Sequence, residues 1–189
     1  MVEPIRSITA IRQIHANLKD SPRDRCFFIL GINTAYRANE LLSISCGQIA
    51  HLKVGDVLDI RQSKTKKRRP ITLNRPAYKA IQHWLKAHPD PRHNTPLFLS
   101  RSGQALTVPT VSRMVKRWCK EVGLKGNFGS HTLRKTWGYH QLRMNTKTKQ
   151  HMLLPILMRA YKHASQEQTL AYLGIQDVDV AQVFLEVEL

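Results

Sequence analysis

Acid is scarce in this chain: 13 Asp and Glu stand against 30 Lys and Arg, giving a formal charge of +17 and a pI near 10.3. A surplus of that size on a folded protein points to a polyanionic partner, most often nucleic acid. Cysteine is scarce too. Cys26, Cys46 and Cys119 are odd in number, widely spaced and without a C-x-x-C pair, which argues against a zinc site and against a disulfide framework; buried thiols in a reducing compartment are expected. No long apolar run, signal peptide or lipidation motif is present, so a membrane-surface role lacks its anchor, and a soluble, cytoplasmic chain with no membrane partner is expected. At 189 residues the chain has the size of one ordinary domain able to bury a full core. With no repeat, low-complexity block or linker, residues 1–189 are read as a single domain.

What is present is mostly helical periodicity. Apolar residues recur at helical spacing over Ile8–Leu18 and Arg23–Thr34, and "SPRD" at 21–24 supplies a helix start, with Ser before Pro and acid in the first turn. The period changes in "HLKVGDVLDIRQSKTKKRRPITL", where Val57, Leu58 and Ile60 precede a basic turn and Ile71 and Leu73 follow it. Gly55 and Pro70 bound this stretch, which predicts an antiparallel hairpin or a three-stranded sheet. Helical periodicity returns over Arg75–Ala87, Val108–Val122, Ser130–Met144 and Met152–Tyr161, separated by turns such as "HPDPRHNTP". The class is α+β, mainly α, with one small antiparallel sheet.

Four stretches carry candidate chemistry. In "GSHTLRKTWGYHQL" (129–142), helical winding puts His131, Arg134, Lys135 and Gly138 on one face, opposite an apolar stripe of Leu133, Trp137, His140 and Met144. In "NTAYRANELLSI", Arg37 stands at the junction of two helical patterns with Glu40 three residues on; on an exposed helix that pair alone is worth only about 0.3 kcal/mol. The turn "RQSKTKKRRP" holds Lys64, Lys66, Lys67, Arg68 and Arg69, a shape suited to a phosphate backbone or a groove, or simply to keeping a sheet edge soluble. In "KHASQEQTLAYLGI", His163 and Tyr172 would face opposite ways on one continuous helix. Ser165 and Gln168 form a capping box, however, so a helix starts after Ser165, His163 stays in the preceding loop, and the two side chains can converge.

Two arginines, a lysine, two histidines and a tyrosine are what phosphodiester cleavage without a metal requires. Arginine forks hold the non-bridging oxygens and stabilise the pentacoordinate transition state. Lysine protonates the leaving oxygen, histidine exchanges protons near neutral pH, and a tyrosyl oxygen forms a covalent phosphoester that stores the bond energy for religation.

In this order and spacing the set resembles the catalytic domain of the tyrosine recombinase, or phage integrase, family, whose pattern is Arg, Lys, His-x-x-Arg, His or Trp, Tyr. The matching positions are Arg37 in "TAYRANELL", Lys64 in "SKT", His131 and Arg134, His163, and Tyr172 nine residues later. The resemblance implies a site-specific recombinase in which Tyr172 attacks the scissile phosphate, leaving a 3′-phosphotyrosyl link and a free 5′-hydroxyl. It also implies double-stranded DNA as substrate and a homotetramer on DNA, monomeric or dimeric when free. Accessory DNA-bending proteins, nucleoid association and no metal or nucleotide cofactor complete the expectation. Lys66, Lys67, Arg68, Arg69 and Lys135 are the candidate DNA contacts. A type IB topoisomerase or a non-catalytic DNA-binding protein are the alternatives. Lys162 replaces the family's usual glycine before the second histidine, and no N-terminal core-binding domain is expected. The tail "QDVDVAQVFLEVEL" carries four acids, no base, and an apolar spacing of Val180, Val183, Phe184 and Val187; residues 177–189 dock either on their own domain or, as the resemblance to a tetrameric recombinase implies and as is expected here, on a neighbouring protomer.

Overall fold

In the computed structural model the described residues are 2–61, 68–144 and 150–175. The chain divides into two compact units, residues 1–137 and residues 138–189.

The first unit opens with α1 (Ile8–Asn17), whose N-cap Ser7 accepts the Ala10 amide, and α2 (Pro22–Gly31), which starts on a proline with Asp24 in its first turn. The α2 start follows its sequence signal, since proline at the first helical position loses no hydrogen bond and acid favours the positive end of the helix dipole. Two short helices follow, α3 (Ala38–Leu42) and α4 (Cys46–Ile49). Strands β1 (Val57–Arg61) and β2 (Arg68–Thr72) pair antiparallel, Leu58 opposite Ile71 and Ile60 opposite Arg69, so among the described residues the small sheet is the two-stranded one of the two forms expected. Helix α5 (Arg75–Ala87) starts where Asn74 Oδ1 accepts the Ala77 amide, and α6 (Val108–Glu121) where Thr107 Oγ1 accepts the Thr110 amide.

Phe27 and Phe28 anchor the core of this unit. Phe28 meets Trp118 edge-on with ring centroids 5.9 Å apart, and Phe27 meets Phe98 at 5.0 Å. The three cysteines are buried free thiols; burial pushes the Cys119 thiol up to about 12, so it is an inert core group. Helix α7 (Thr132–Met144) begins in this unit. Gly31, ending α2, lies so close to α7 that a Cβ there would sit 2.5 Å from Leu133 Cδ1, and only glycine permits that approach.

The second unit holds the rest of α7, α8 (Gln150–Tyr161) and α9 (Gln166–Leu173). Leu153, Leu157, Tyr161 and Leu173 are buried here. Gly138 is packed against α8 and α9: a Cβ on it would fall 2.1 Å from Tyr161 Oη and 2.7 Å from Leu173 Cδ2. The missing side chain at Gly138 is what admits α8 and α9 this closely.

Candidate functional site

In the first unit two of the catalytic candidates, Arg37 and Arg134, share one carboxylate. The turn after α2 runs through Ala35, a non-glycine residue at φ +56°, a conformation disfavoured by clash of Cβ with the chain. Tyr36 follows, wholly buried, its hydroxyl within hydrogen-bond distance of the carbonyls of Leu58 (2.9 Å) and Arg69 (2.6 Å). That hydroxyl straddles β1 and β2 and ties the hairpin to the turn. Arg37 then N-caps α3, and Glu40, three residues on, folds back so that Oε2 accepts the Arg37 amide at 2.6 Å.

Glu40 is 4% exposed. Its Oε1 lies 3.3 Å from Arg37 Nη1 and 3.5 Å from Arg69 Nη1, and its Oε2 lies 3.9 Å from Arg134 Nη1. Arg134 is 2% exposed and also donates from Nη1 to the carbonyl of Ala35. A buried guanidinium must be paired and hydrogen-bonded; the strained Ala35 carbonyl and Glu40 supply both for Arg134. Arg37 and Arg134, 97 positions apart in the chain by their numbers, therefore share one acid. Arg37 keeps 38% of its side chain exposed, unlike the enclosed Arg69 and Arg134.

His131 lies in the turn ahead of α7, and its carbonyl accepts the Lys135 amide in the first helical turn. Its pKa is lowered, first by loss of solvation and then by the charges of Arg134, Arg37 and Lys135, so the ring is neutral at pH 7 and able to accept a proton. Thr132 Oγ1 accepts the Gly129 amide and Thr136 Oγ1 accepts the Ile5 amide, fixing the start of the helix.

The two-faced reading of this helix needs correcting. Thr132, Leu133, Arg134, Lys135 and Thr136 are all buried, so the start of α7 is enclosed on every side, and the polar face meets protein as well as any ligand. Two expected DNA contacts are buried likewise. Arg69 is 4% exposed and faces Glu40; Lys135 is 2% exposed, and burial lowers its pKa against the opposing pull of Glu3. Arg69 points inward because β2 alternates, its neighbours Arg68 and Pro70 being exposed. Arg68 stays on the surface, 71% exposed and paired with Asp59 at 2.5 Å. Lys64, Lys66 and Lys67 lie outside the described residues.

The second unit presents a different chemistry. Helix α8 ends in a Schellman turn: the His163 amide reaches the Met158 carbonyl at 3.0 Å and the Lys162 amide the Arg159 carbonyl at 3.2 Å, with Lys162 itself at φ +57°. Glycine favours that position for its lack of Cβ strain, which gives a physical reason for the glycine that Lys162 replaces. Ser165 Oγ then accepts the Gln168 amide and starts α9, while Gln168 Oε1 reaches the Ala164 amide, one residue earlier than in a capping box. The stop and restart turn the chain enough for His163 and Tyr172 to converge. Their ring centroids are 5.1 Å apart and edge-on at 72°, and Tyr161 stacks on His163 at 5.1 Å and 17°. His163 and Tyr172 are both half-buried. The tail, residues 177–189, lies outside the described residues.

Sequence reasoning missed Glu40 as a shared acid, Ala35, Tyr36, Tyr161 and Thr169. Only Glu40 carried a signal, its spacing from Arg37; its pairing with Arg69 and Arg134 depends on burial that spacing does not encode.

The profile of the Phage integrase family matches residues 6–178. This chain belongs to that family. Among curated relatives, this integrase is 32% identical over 179 residues to the probable integrase/recombinase YoeC of Bacillus subtilis, covering 94% of this chain and 92% of that protein. It is 30% identical over 156 residues to tyrosine recombinase XerC of Chlamydia caviae, covering 79% of this chain and 46% of XerC. Among solved structures it resembles XerA recombinase with a TM-score of 0.77 at 20% identity, covering 98% of this chain and 65% of that one. It also resembles XerH site-specific recombinase bound to a palindromic difH substrate after cleavage, with a TM-score of 0.75 at 20% identity, covering 96% and 51%. The integrase thus spans nearly all of its Bacillus relative and about half of XerC and XerH. Its fold is that of tyrosine recombinase catalytic domains, mainly helical with a small antiparallel sheet, and it is an enzyme of that class. Among the described residues, no helix is long and apolar enough to cross a membrane.

Proposed function

We propose that this integrase cuts and rejoins duplex DNA at a specific site through a covalent link to Tyr172. The Tyr172 oxygen attacks the scissile phosphorus, forming a P–O(Tyr) bond as the bond to the 5′-oxygen breaks. The tyrosyl proton passes to a neutral imidazole, and Lys64 protonates the departing 5′-oxygen. Arg37 and Arg134 hold the non-bridging oxygens and stabilise the charge of the transition state. A 5′-hydroxyl from a second strand reverses the step, so the phosphoester energy is kept and no nucleotide is consumed.

The observation that carries this reading is the shared use of Glu40 by Arg37 and Arg134. Two guanidinium groups are held side by side by one carboxylate, and the partly exposed Arg37 can turn to a dianionic pentacoordinate phosphate. The family match supports it. Four copies on two duplexes, assisted by DNA-bending proteins and working at the nucleoid, follow from the same reading, as does docking of residues 177–189 on a neighbouring copy. All 189 residues then serve as one catalytic domain. No observation favours relaxation without strand exchange, or a DNA binder without a nucleophile.

The test is incubation with a library of nicked, randomised duplexes in which the cleaved end is lost by diffusion. A covalent protein–DNA adduct is expected, and sequencing the trapped DNA reads out the site; absence of any adduct with the wild-type chain overturns the proposal. For Lys64, alanine substitution should slow cleavage and a 5′-bridging phosphorothiolate, with its better leaving group, should restore it. Tail deletion should weaken strand exchange more than binding of one copy to a half-site.

A further inference from the structure

Thr169 sits one turn before Tyr172 on α9 and is fully buried. Its hydroxyl oxygen lies 3.2 Å from the carbonyl of Ser165 and 3.1 Å from Nδ1 of His163. A hydroxyl has one proton and a carbonyl has none. If the Thr169 proton pointed to His163 Nδ1, two oxygen lone pairs would face each other across the 3.2 Å contact with Ser165. With the proton on the carbonyl side, the hydroxyl accepts from Nδ1–H and both contacts are satisfied. The second arrangement is the one a buried site selects, because two lone pairs facing each other there have no water to separate them.

We propose that Thr169 is a positioning residue that fixes the tautomer of His163, placing the ring proton on Nδ1 and the basic lone pair on Nε2. Neutral imidazole has only one basic nitrogen, and which one it is depends on the hydrogen bond made by the other. Tyr161 complements this by stacking on the imidazole, nearly parallel, and Tyr172 closes the ring from its edge. A half-turn of the His163 ring about Cβ–Cγ keeps the stack but puts a carbon where Nδ1 meets Thr169, so the Thr169 hydrogen bond selects this orientation of the ring. The anchor and the nucleophile lie on the same short helix, so a displacement of α9 moves Tyr172 and the tautomer lock as one. This inference rests on the reading of His163 and Tyr172 as partners in proton exchange.

The experiment measures ring ¹⁵N chemical shifts of His163 in the full chain above the imidazole titration, for wild type, Thr169→Val and Thr169→Ser, alongside adduct formation on the randomised nicked duplexes. In wild type, Nδ1 is expected to carry the proton. Thr169→Val, nearly isosteric but without the hydroxyl, should return the ring toward the Nε2–H form and slow adduct formation on the order of 10²-fold, the scale of general acid–base catalysis. Thr169→Ser should restore both. A wild-type ring protonated on Nε2 overturns the inference by itself, whether or not the valine variant folds. Adduct formation by Thr169→Val at the wild-type rate with an unchanged tautomer overturns it as well. Failure of the underlying reading looks different: Tyr172→Phe would still form the adduct.

Discussion

The two units assemble their candidate groups by opposite means. In the first, Arg37, Arg69 and Arg134 come from three distant parts of the chain and are held by the buried Glu40. In the second, Tyr161, His163, Thr169 and Tyr172 lie within twelve residues and are arranged by a helix stop and restart. Charge needs an enclosed counter-charge, which only a complete core supplies; the adjacent rings of His163 and Tyr172 need only local backbone geometry. Loss of the shared acid or a paired arginine in the first unit should therefore cost stability and transition-state binding together, whereas loss of the Tyr172 oxygen in the second should cost chemistry alone.

Tyr172→Phe is the sharpest form of that contrast. It should abolish adduct formation while leaving DNA affinity within a few fold, since only the nucleophilic oxygen goes; an undiminished adduct on nicked duplexes moves the nucleophile elsewhere. Arg134→Ala comes next, with cleavage falling on the order of 10²-fold or more, and a measurable drop in melting temperature because the Ala35 carbonyl and Glu40 both lose a buried partner.

Glu40→Gln tests the hub without touching an arginine. Breaking a buried ionic cluster by neutralising one member costs roughly 3 kcal/mol, so denaturant unfolding should shift markedly and hydrogen exchange should quicken in the first unit. Equal quickening of Arg159–Leu173 would break the contrast. In the second unit, Gly138→Ala forces a methyl into Tyr161 and Leu173 and should cost about 2 kcal/mol through overpacking, with exchange rising first in α8 and α9. Lys162→Gly runs the other way. Relief of the left-handed strain should stabilise the second unit by about 1 kcal/mol, read as slower exchange at the His163 amide.

The smallest effect is that of pH. His131 has a lowered pKa when folded, so between that value and the ordinary 6.5 the unfolded chain binds more protons. Stability should be unaffected by this group above about pH 6.5 and should fall as pH drops below it. His131→Asn should flatten that part of the profile in urea titrations; an unchanged slope would assign it to other groups.

The capping and periodicity signals were readable because they are local. Arg75–Ala87 is the helix that its spacing predicts, and Ser165 caps α9 through its own side chain. The convergence of His163 and Tyr172 was readable for the same reason. The burial of Arg69 and Lys135 was not. A lysine or arginine in a basic run looks solvated until strand register and helix packing decide which way it faces, and Arg69 turns inward by one step of β2. The start of α7 reads as two-faced by helical periodicity, yet its polar side is enclosed because Ala35, Glu40 and Ile5 approach it from elsewhere in the chain.

By itself the sequence determined which residues could do chemistry, their order, the helix starts and the excess charge, since all of these are properties of composition and near-neighbour spacing. Only tertiary structure decided that Glu40 would serve three arginines and that Arg69 and Lys135 would be interior groups. Those outcomes depend on burial, and burial is settled by the whole core, where a charge or a hydroxyl must find a partner because water is no longer there to provide one.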